Sequence, residues 1–261
     1  MGCEYSTLEV NRLLPRLRLR QVDLVGVFSN QTDLSPTHAV ELFLREELRL
    51  KEEHKREVRF KRSHLPARKS LGEFDFGFQP SVSKQVILNL MDMTWLDQAF
   101  NVCLLGPTST GKTMLATILG YEALDRGYDV CFEKMDTLMH APETKDFVPA
   151  SERRVRELTR ARLVIVDEIG YERLGQAEAT LLFGFVSQCA ERTSLVVTSN
   201  KGFDEWGGFM GDTDLVAAIV DRLIYRSEIT DIDGPNYRKD RRQSISEWSA
   251  SKKGGAQQRE K

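Results

Sequence analysis

A chain of 261 residues, 41% hydrophobic and 29% charged, can bury one substantial core beneath a large solvated surface. Its formal charge of −2 excludes a globally basic nucleic-acid binder, though not local basic patches. No apolar run approaches the ~18 residues needed to cross a bilayer, and no signal-peptide pattern is present, so a cytoplasmic protein without a membrane partner is expected.

Residues 1–69 predict a small all-helical N-terminal domain. Leu13, Leu17, Leu24 and the run 39–50 have helical spacing, and Ser35-Pro36 suits a helix start. From Lys55 the balance turns basic, with Lys55, Arg56, Arg59, Lys61, Arg62, Arg68 and Lys69 against Glu57. Such a stretch fits a DNA contact, a solvated face, a lever or an oligomer contact. Phe74-Asp75-Phe76-Gly77-Phe78-Gln79-Pro80 then marks the passage into a second domain, 70–248. Its aromatic rings either pack this linker onto the core or shape an adenine pocket.

Across 70–248, strand candidates at 101–106, 129–133, 163–167, 195–199 and, more weakly, 229–232 alternate with helices. Alternation of this kind predicts an α/β fold, a five-stranded parallel sheet flanked by helices. Cys3, Cys103, Cys131 and Cys189 share no metal-binding spacing and read as reduced thiols. Residues 249–261 are too polar to pack and are expected to be disordered.

The first strand leads into Gly106-Pro107-Thr108-Ser109-Thr110-Gly111-Lys112-Thr113, which fits G-x-x-x-x-G-K-[ST]. A helix follows, with Leu115, Ile118, Leu119 and Ala123 in period until Gly127. Strand, loop and helix in this order make a phosphate cradle of backbone N–H groups and a positive helix end. Lys112 would reach the β- and γ-phosphates of ATP, and the Thr113 hydroxyl would join a Mg²⁺ shell.

Leu163-Val164-Ile165-Val166-Asp167-Glu168 is an apolar strand ending in two acids. Asp167 would hold Mg²⁺ and Glu168 would polarise the attacking water; a merely solvated strand end is the alternative. The next strand ends in Thr198-Ser199-Asn200, where Asn200 would orient that water or else cap a turn. Farther on, Asp221-Arg222 lies on a predicted helix, as a surface pair or as an arginine finger for a neighbouring subunit's ATP.

These residues together resemble the DnaC-like AAA+ P-loop NTPases and, within them, the IstB-like transposition helper ATPases. The specific element runs from Thr198 to Trp206 (TSNKGFDEW), then through Phe209 and Asp212 to Asp221-Arg222-Leu223. Phe74-Asp75-Phe76 points the same way, and the likeness extends from the N-terminal helices through Tyr237. The resemblance implies an ATP-dependent homo-oligomer, with ATP sites at subunit interfaces, that binds duplex DNA and recruits and stimulates an IstA-like transposase. A replicative helicase loader is the alternative reading. The resemblance assigns Asn200 as first sensor and Arg222 as finger. It also implies an extra DNA-facing helix in the region 136–160, carrying Lys145, Arg153, Arg154, Arg156 and Arg160; a plain exposed basic helix is the alternative. One departure stands out: family members often carry Pro-Gly where this chain has Thr108-Ser109.

Overall fold

The computed structural model describes residues 36–144 and 149–240, with the isolated positions 14, 19, 23, 26 and 27. Its contacts divide the chain into two units, Met1–Lys61 and Arg62–Lys261. In the first unit lies helix α1 (Pro36–Ser63), all but its last two residues. It begins at Pro36, where a missing N–H is harmless and a fixed φ suits the first turn. Exposed pairs such as Arg45–Glu41 at 2.8 Å run along it, one helical turn apart. Leu13, Leu17 and Leu24, Cys3 and the tail 249–261 lie outside the described residues.

The second unit begins before the expected 69/70 boundary because residues 62–69 dock on its helix α3 (Lys112–Asp125). Tyr121 donates to the Pro66 carbonyl at 2.8 Å, and Arg68 pairs with Asp125 while stacking over the Tyr121 ring at 5.0 Å. Gly120 lets Leu65 come close, since a Cβ there would sit 2.6 Å from Leu65 Cδ2.

Strands β1 (Asn101–Leu105), β2 (Val130–Lys134), β3 (Leu163–Ile169), β4 (Ser194–Ser199) and β5 (Ser227–Asp231) form one parallel sheet in the order β2-β3-β4-β1-β5. Parallel strands are covered on both faces, which is why β1 and β4 are buried throughout and read as continuous apolar runs. Edge strand β5 is mostly part-exposed, the physical reason its sequence signal is weaker. On one face, α3 and the preceding segment with α2 (Lys84–Leu90) pack Ile87, Leu96, Leu115 and Leu119 onto Val102, Leu104 and Ile165. Because α3 is wedged between sheet and segment, it is apolar nearly all round.

The other face carries α4 (Met135–Thr144), α5 (Pro149–Arg160), α6 (Gln176–Cys189), α7 (Trp206–Met210) and α8 (Thr213–Ile224). There Leu138, Leu158, Leu182, Trp206 and Ile219 pack onto Cys103, Leu105, Val164 and Val166. Asp212 caps α8 by accepting from the Leu215 N–H at 2.9 Å. The region 136–160, where the extra helix is expected, carries α4 and α5 among its described residues. Cys103, Cys131 and Cys189 are buried free thiols, and desolvation pushes Cys131 up to about 11. Among the described residues no helix is long and apolar enough to cross a membrane.

Candidate functional site

The site forms where β1 ends and α3 begins. Gly106 turns the chain at φ 131°, and a Cβ there would sit 2.3 Å from the Ile232 carbonyl oxygen. Gly111 has φ 101°, and its Cβ would strike the Phe74 ring at 2.6 Å. Both positions therefore demand glycine for conformation and for space. Between them Ser109 takes φ 63° with a Cβ present. That left-handed step costs about 1–2 kcal/mol, and the loop adopts it regardless.

Lys112 is 7% exposed and donates to the Gly106 carbonyl at 2.6 Å and to the Pro107 carbonyl. Burial pulls its pKa down to about 8, against the opposing charge of Asp167. Thr113 Oγ1 donates to Asp167 Oδ1 at 2.8 Å. Thr198 Oγ1 also donates to Asp167 and accepts from the Glu168 N–H at 3.0 Å. Loop, β3 tip and β4 tip are thus joined by one hydrogen-bond chain. The strand order makes this possible, since β4 lies between β3 and β1.

A cavity of about 350 Å³ opens here. Residues 109–113, Glu168, Thr198 and Asn200 line one part, and Phe74, Gln79, Tyr237 and Arg238 another. Of the sequence-predicted residues, Ser109, Thr110, Gly111, Lys112, Thr113, Glu168 and Asn200 meet at this cavity, with Asp167 bonded beneath Thr113. Gly106, Pro107 and Thr108 complete the loop. The Asn200 Oδ1 is buried and meets no hydrogen-bond donor among the described residues. Gly170 (φ 93°) leaves it room, as a Cβ there would approach to 3.0 Å.

Sequence reasoning overlooked Thr198 as a polar bridge, although it stands in the quoted strand end. It also overlooked Arg238 on the short helix α9 (Tyr237–Asp240), which the Tyr237 N–H ties to the Ser109 carbonyl at 3.0 Å. A four-residue helix has no periodicity to detect.

Arg222 does not border this cavity. It sits on α8, donating to the Ala218 carbonyl at 2.8 Å with its guanidinium 4.7 Å from the Phe183 ring centre. It lines a separate cavity of about 340 Å³ with Asn101, Thr193 and Tyr225.

Arg154 corrects the expected DNA-facing set. It is 8% exposed and clamped to Glu133, with further bonds to the Arg62 carbonyl (2.7 Å), the Phe132 carbonyl (3.1 Å) and Glu157 (3.2 Å). A buried carboxylate on β2 needs a cation, and α5 turns this arginine inward to supply it. Arg153, Arg156 and Arg160 remain exposed on α5, while Lys145 lies outside the described residues.

The donors at the loop fit Mg²⁺. A hydroxyl and a carboxylate within 2.8 Å are the hard oxygens that ion takes. Asp167 is 1% exposed and desolvation raises its pKa, so a dication would offset a charge its surroundings disfavour. No group of three or more His, Cys, Asp or Glu among the described residues could cage a metal, so nucleotide and water would complete the shell.

Residues 20–245 match the family described as IstB-like ATP binding protein. The chain is 41% identical over 186 residues to the insertion sequence IS21 ATP-binding protein of Pseudomonas aeruginosa, covering 70% of this chain and 69% of that one. It is 32% identical over 243 residues to the insertion sequence IS232 ATP-binding protein of Bacillus thuringiensis subsp. berliner, covering 91% and 96%. Among solved structures, DnaI is similar with a TM-score of 0.55 at 14% identity, over 66% of this chain and 96% of that one. AMPPCP-bound DnaA from Aquifex aeolicus scores 0.52 at 20% identity, over 66% of this chain and only 52% of that one. These likenesses show that the chain shares the α/β fold of DnaI and DnaA. With a parallel sheet in this order, a glycine-bracketed phosphate loop and a match over most of its length, the chain belongs to the IstB-like ATP-binding protein family.

Proposed function

We propose that the chain is an ATPase that oligomerises on duplex DNA, recruits an IstA-like transposase and stimulates DNA transposition in the cytoplasm. The observation that carries the hydrolytic reading is the chain of bonds from Thr113 through Asp167 and Thr198 to the Glu168 backbone. The backbone N–H groups of the 106–113 loop, Pro107 having none, and Lys112 bind the phosphates, while Thr113 and Asp167 would hold Mg²⁺. A magnesium ion bound there would offset charge on the phosphate oxygens. Glu168 takes the proton of the attacking water and Asn200 aims that water at the γ-phosphate.

Arg222 lies on another surface from its own chain's cavity, which supports action on a neighbouring subunit's nucleotide. Exposed Arg153 and Arg156 support sequence-independent phosphate contacts on DNA. The N-terminal helical part, 1–69 by composition, supplies partner, oligomer or DNA contacts. The relatives' description as insertion-sequence ATP-binding proteins supports the transposition role.

ATP hydrolysis with and without duplex DNA, paired with light scattering in ATP and Mg²⁺, tests this reading. Expected is DNA-stimulated turnover that accompanies assembly and disappears in Glu168→Gln, which still binds ATP. DNA-indifferent hydrolysis by a monomer overturns the assembly reading, and equal turnover by Glu168→Gln overturns the base assignment.

A further inference from the structure

The part of the nucleotide cavity away from Glu168 and Asn200 is walled by two distant stretches of chain. Phe74 and Gln79 come from the segment ahead of α2, and Tyr237 and Arg238 from the segment after β5. The second stretch leaves the sheet where the Ile232 N–H donates to the Leu105 carbonyl at 2.8 Å. It reaches the phosphate loop where the Tyr237 N–H meets the Ser109 carbonyl. Between these two points Gln79 takes hold of it, Nε2 donating to the Pro235 carbonyl at 2.8 Å across 156 residues. The adjacent Phe78 ring meets the Tyr237 ring edge-on at 5.3 Å.

The Gln79 amide is committed to this contact. Exchanging its nitrogen and oxygen would set oxygen against the Pro235 carbonyl oxygen, so the orientation is fixed. Gln79 is 3% exposed, and its Oε1 is buried and meets no donor among the described residues. That oxygen lies against Gly234, where a Cβ would stand 1.7 Å away. A buried acceptor without a donor is disfavoured, so the fold gives up one hydrogen bond of this amide while keeping the other. Pro235 itself is exposed, and water could serve its carbonyl. What the bond to Gln79 adds is therefore position.

We infer that Gln79 is a positioning residue for the nucleoside half of ATP. By fixing the Pro235 carbonyl it holds Tyr237 and Arg238 as a wall facing Phe74, while the phosphates belong to the loop. This deepens, and rests on, the reading of the cavity as the ATP site. A wall set before the nucleotide arrives spares the cost of ordering that segment on binding.

Displacement of a fluorescent ATP analogue by ATP and by inorganic tripolyphosphate tests this in wild type, Gln79→Leu and Gly234→Ala. Leucine keeps much of the volume and loses the donor; alanine at 234 pushes the amide away from the other side. Each should weaken ATP roughly three- to tenfold, the worth of one hydrogen bond, and leave tripolyphosphate within about twofold. The double variant Gln79→Ala with Gly234→Ala should match a single variant rather than multiply the two losses, because the new Cβ then meets no amide. If wild type binds ATP and Gln79→Leu binds it equally well, the ATP reading stands and the latch falls. Equal losses for ATP and tripolyphosphate, or loss of folded structure by circular dichroism in both single variants, also overturn the latch. If wild type binds no ATP, the reading of the cavity falls and the latch with it.

Discussion

Replacing Arg154 by alanine separates a structural arginine from a DNA-binding one. The substitution leaves the Glu133 carboxylate, 5% exposed, without its cation, and removes donors from the carbonyls of Arg62 and Phe132. Breaking one side of a buried ion pair costs about 3–5 kcal/mol, mostly the penalty of the orphaned charge. At about 2–4 °C per kcal/mol for a unit of this size, the midpoint should fall by roughly 6–20 °C. Urea and thermal unfolding followed by circular dichroism measure the cost. The double variant Glu133→Leu with Arg154→Met removes both charges and should regain most of the stability. A loss under about 1 kcal/mol for Arg154→Ala, or no recovery in the double variant, would refute the clamp.

Arg153→Glu with Arg156→Glu should leave the unfolding midpoint nearly in place yet weaken duplex binding and flatten its salt dependence; an unchanged affinity and slope remove α5 from the DNA path. Arg222→Ala should keep ATP binding and lose hydrolysis, and mixing it with Lys112→Ala should restore some turnover in shared sites; no rescue at any ratio counts against a finger acting between subunits. Burial sets Lys112 near 8, below free lysine, whereas phosphates favour its charged form. ATP binding above about pH 8 should therefore take up a proton, and affinity should fall by up to about tenfold per pH unit. Calorimetry in buffers of different ionisation enthalpy checks the uptake, and a flat affinity up to about pH 9.5 refutes it.

Local chemistry along the chain determined the elements and the nucleotide loop. Gly106 and Gly111 sit where positive φ and close neighbours exclude a Cβ, so their spacing alone marks the loop. Runs such as Val102 to Leu105 and Leu163 to Val166 are apolar without alternation because both faces of a parallel strand are covered, so they announce buried strands. Only tertiary structure decided which polar groups meet. Inserting β4 between β1 and β3 brings Thr198 onto Asp167, a pairing across 31 residues that no spacing encodes. Arg153, Arg154 and Arg156 carry the same guanidinium within one helical turn. What sets Arg154 apart is the buried carboxylate of Glu133 and the carbonyls that await it on packing. Lys134 likewise looks like any solvated lysine until β2 and β3 pair and the bent tip of β3 brings Glu168 to it. Periodicity records which face of an element is apolar. The partner of a single charge depends on chain brought close by folding, and that is where the Lys134–Glu168 pair and the clamp on α5 arise.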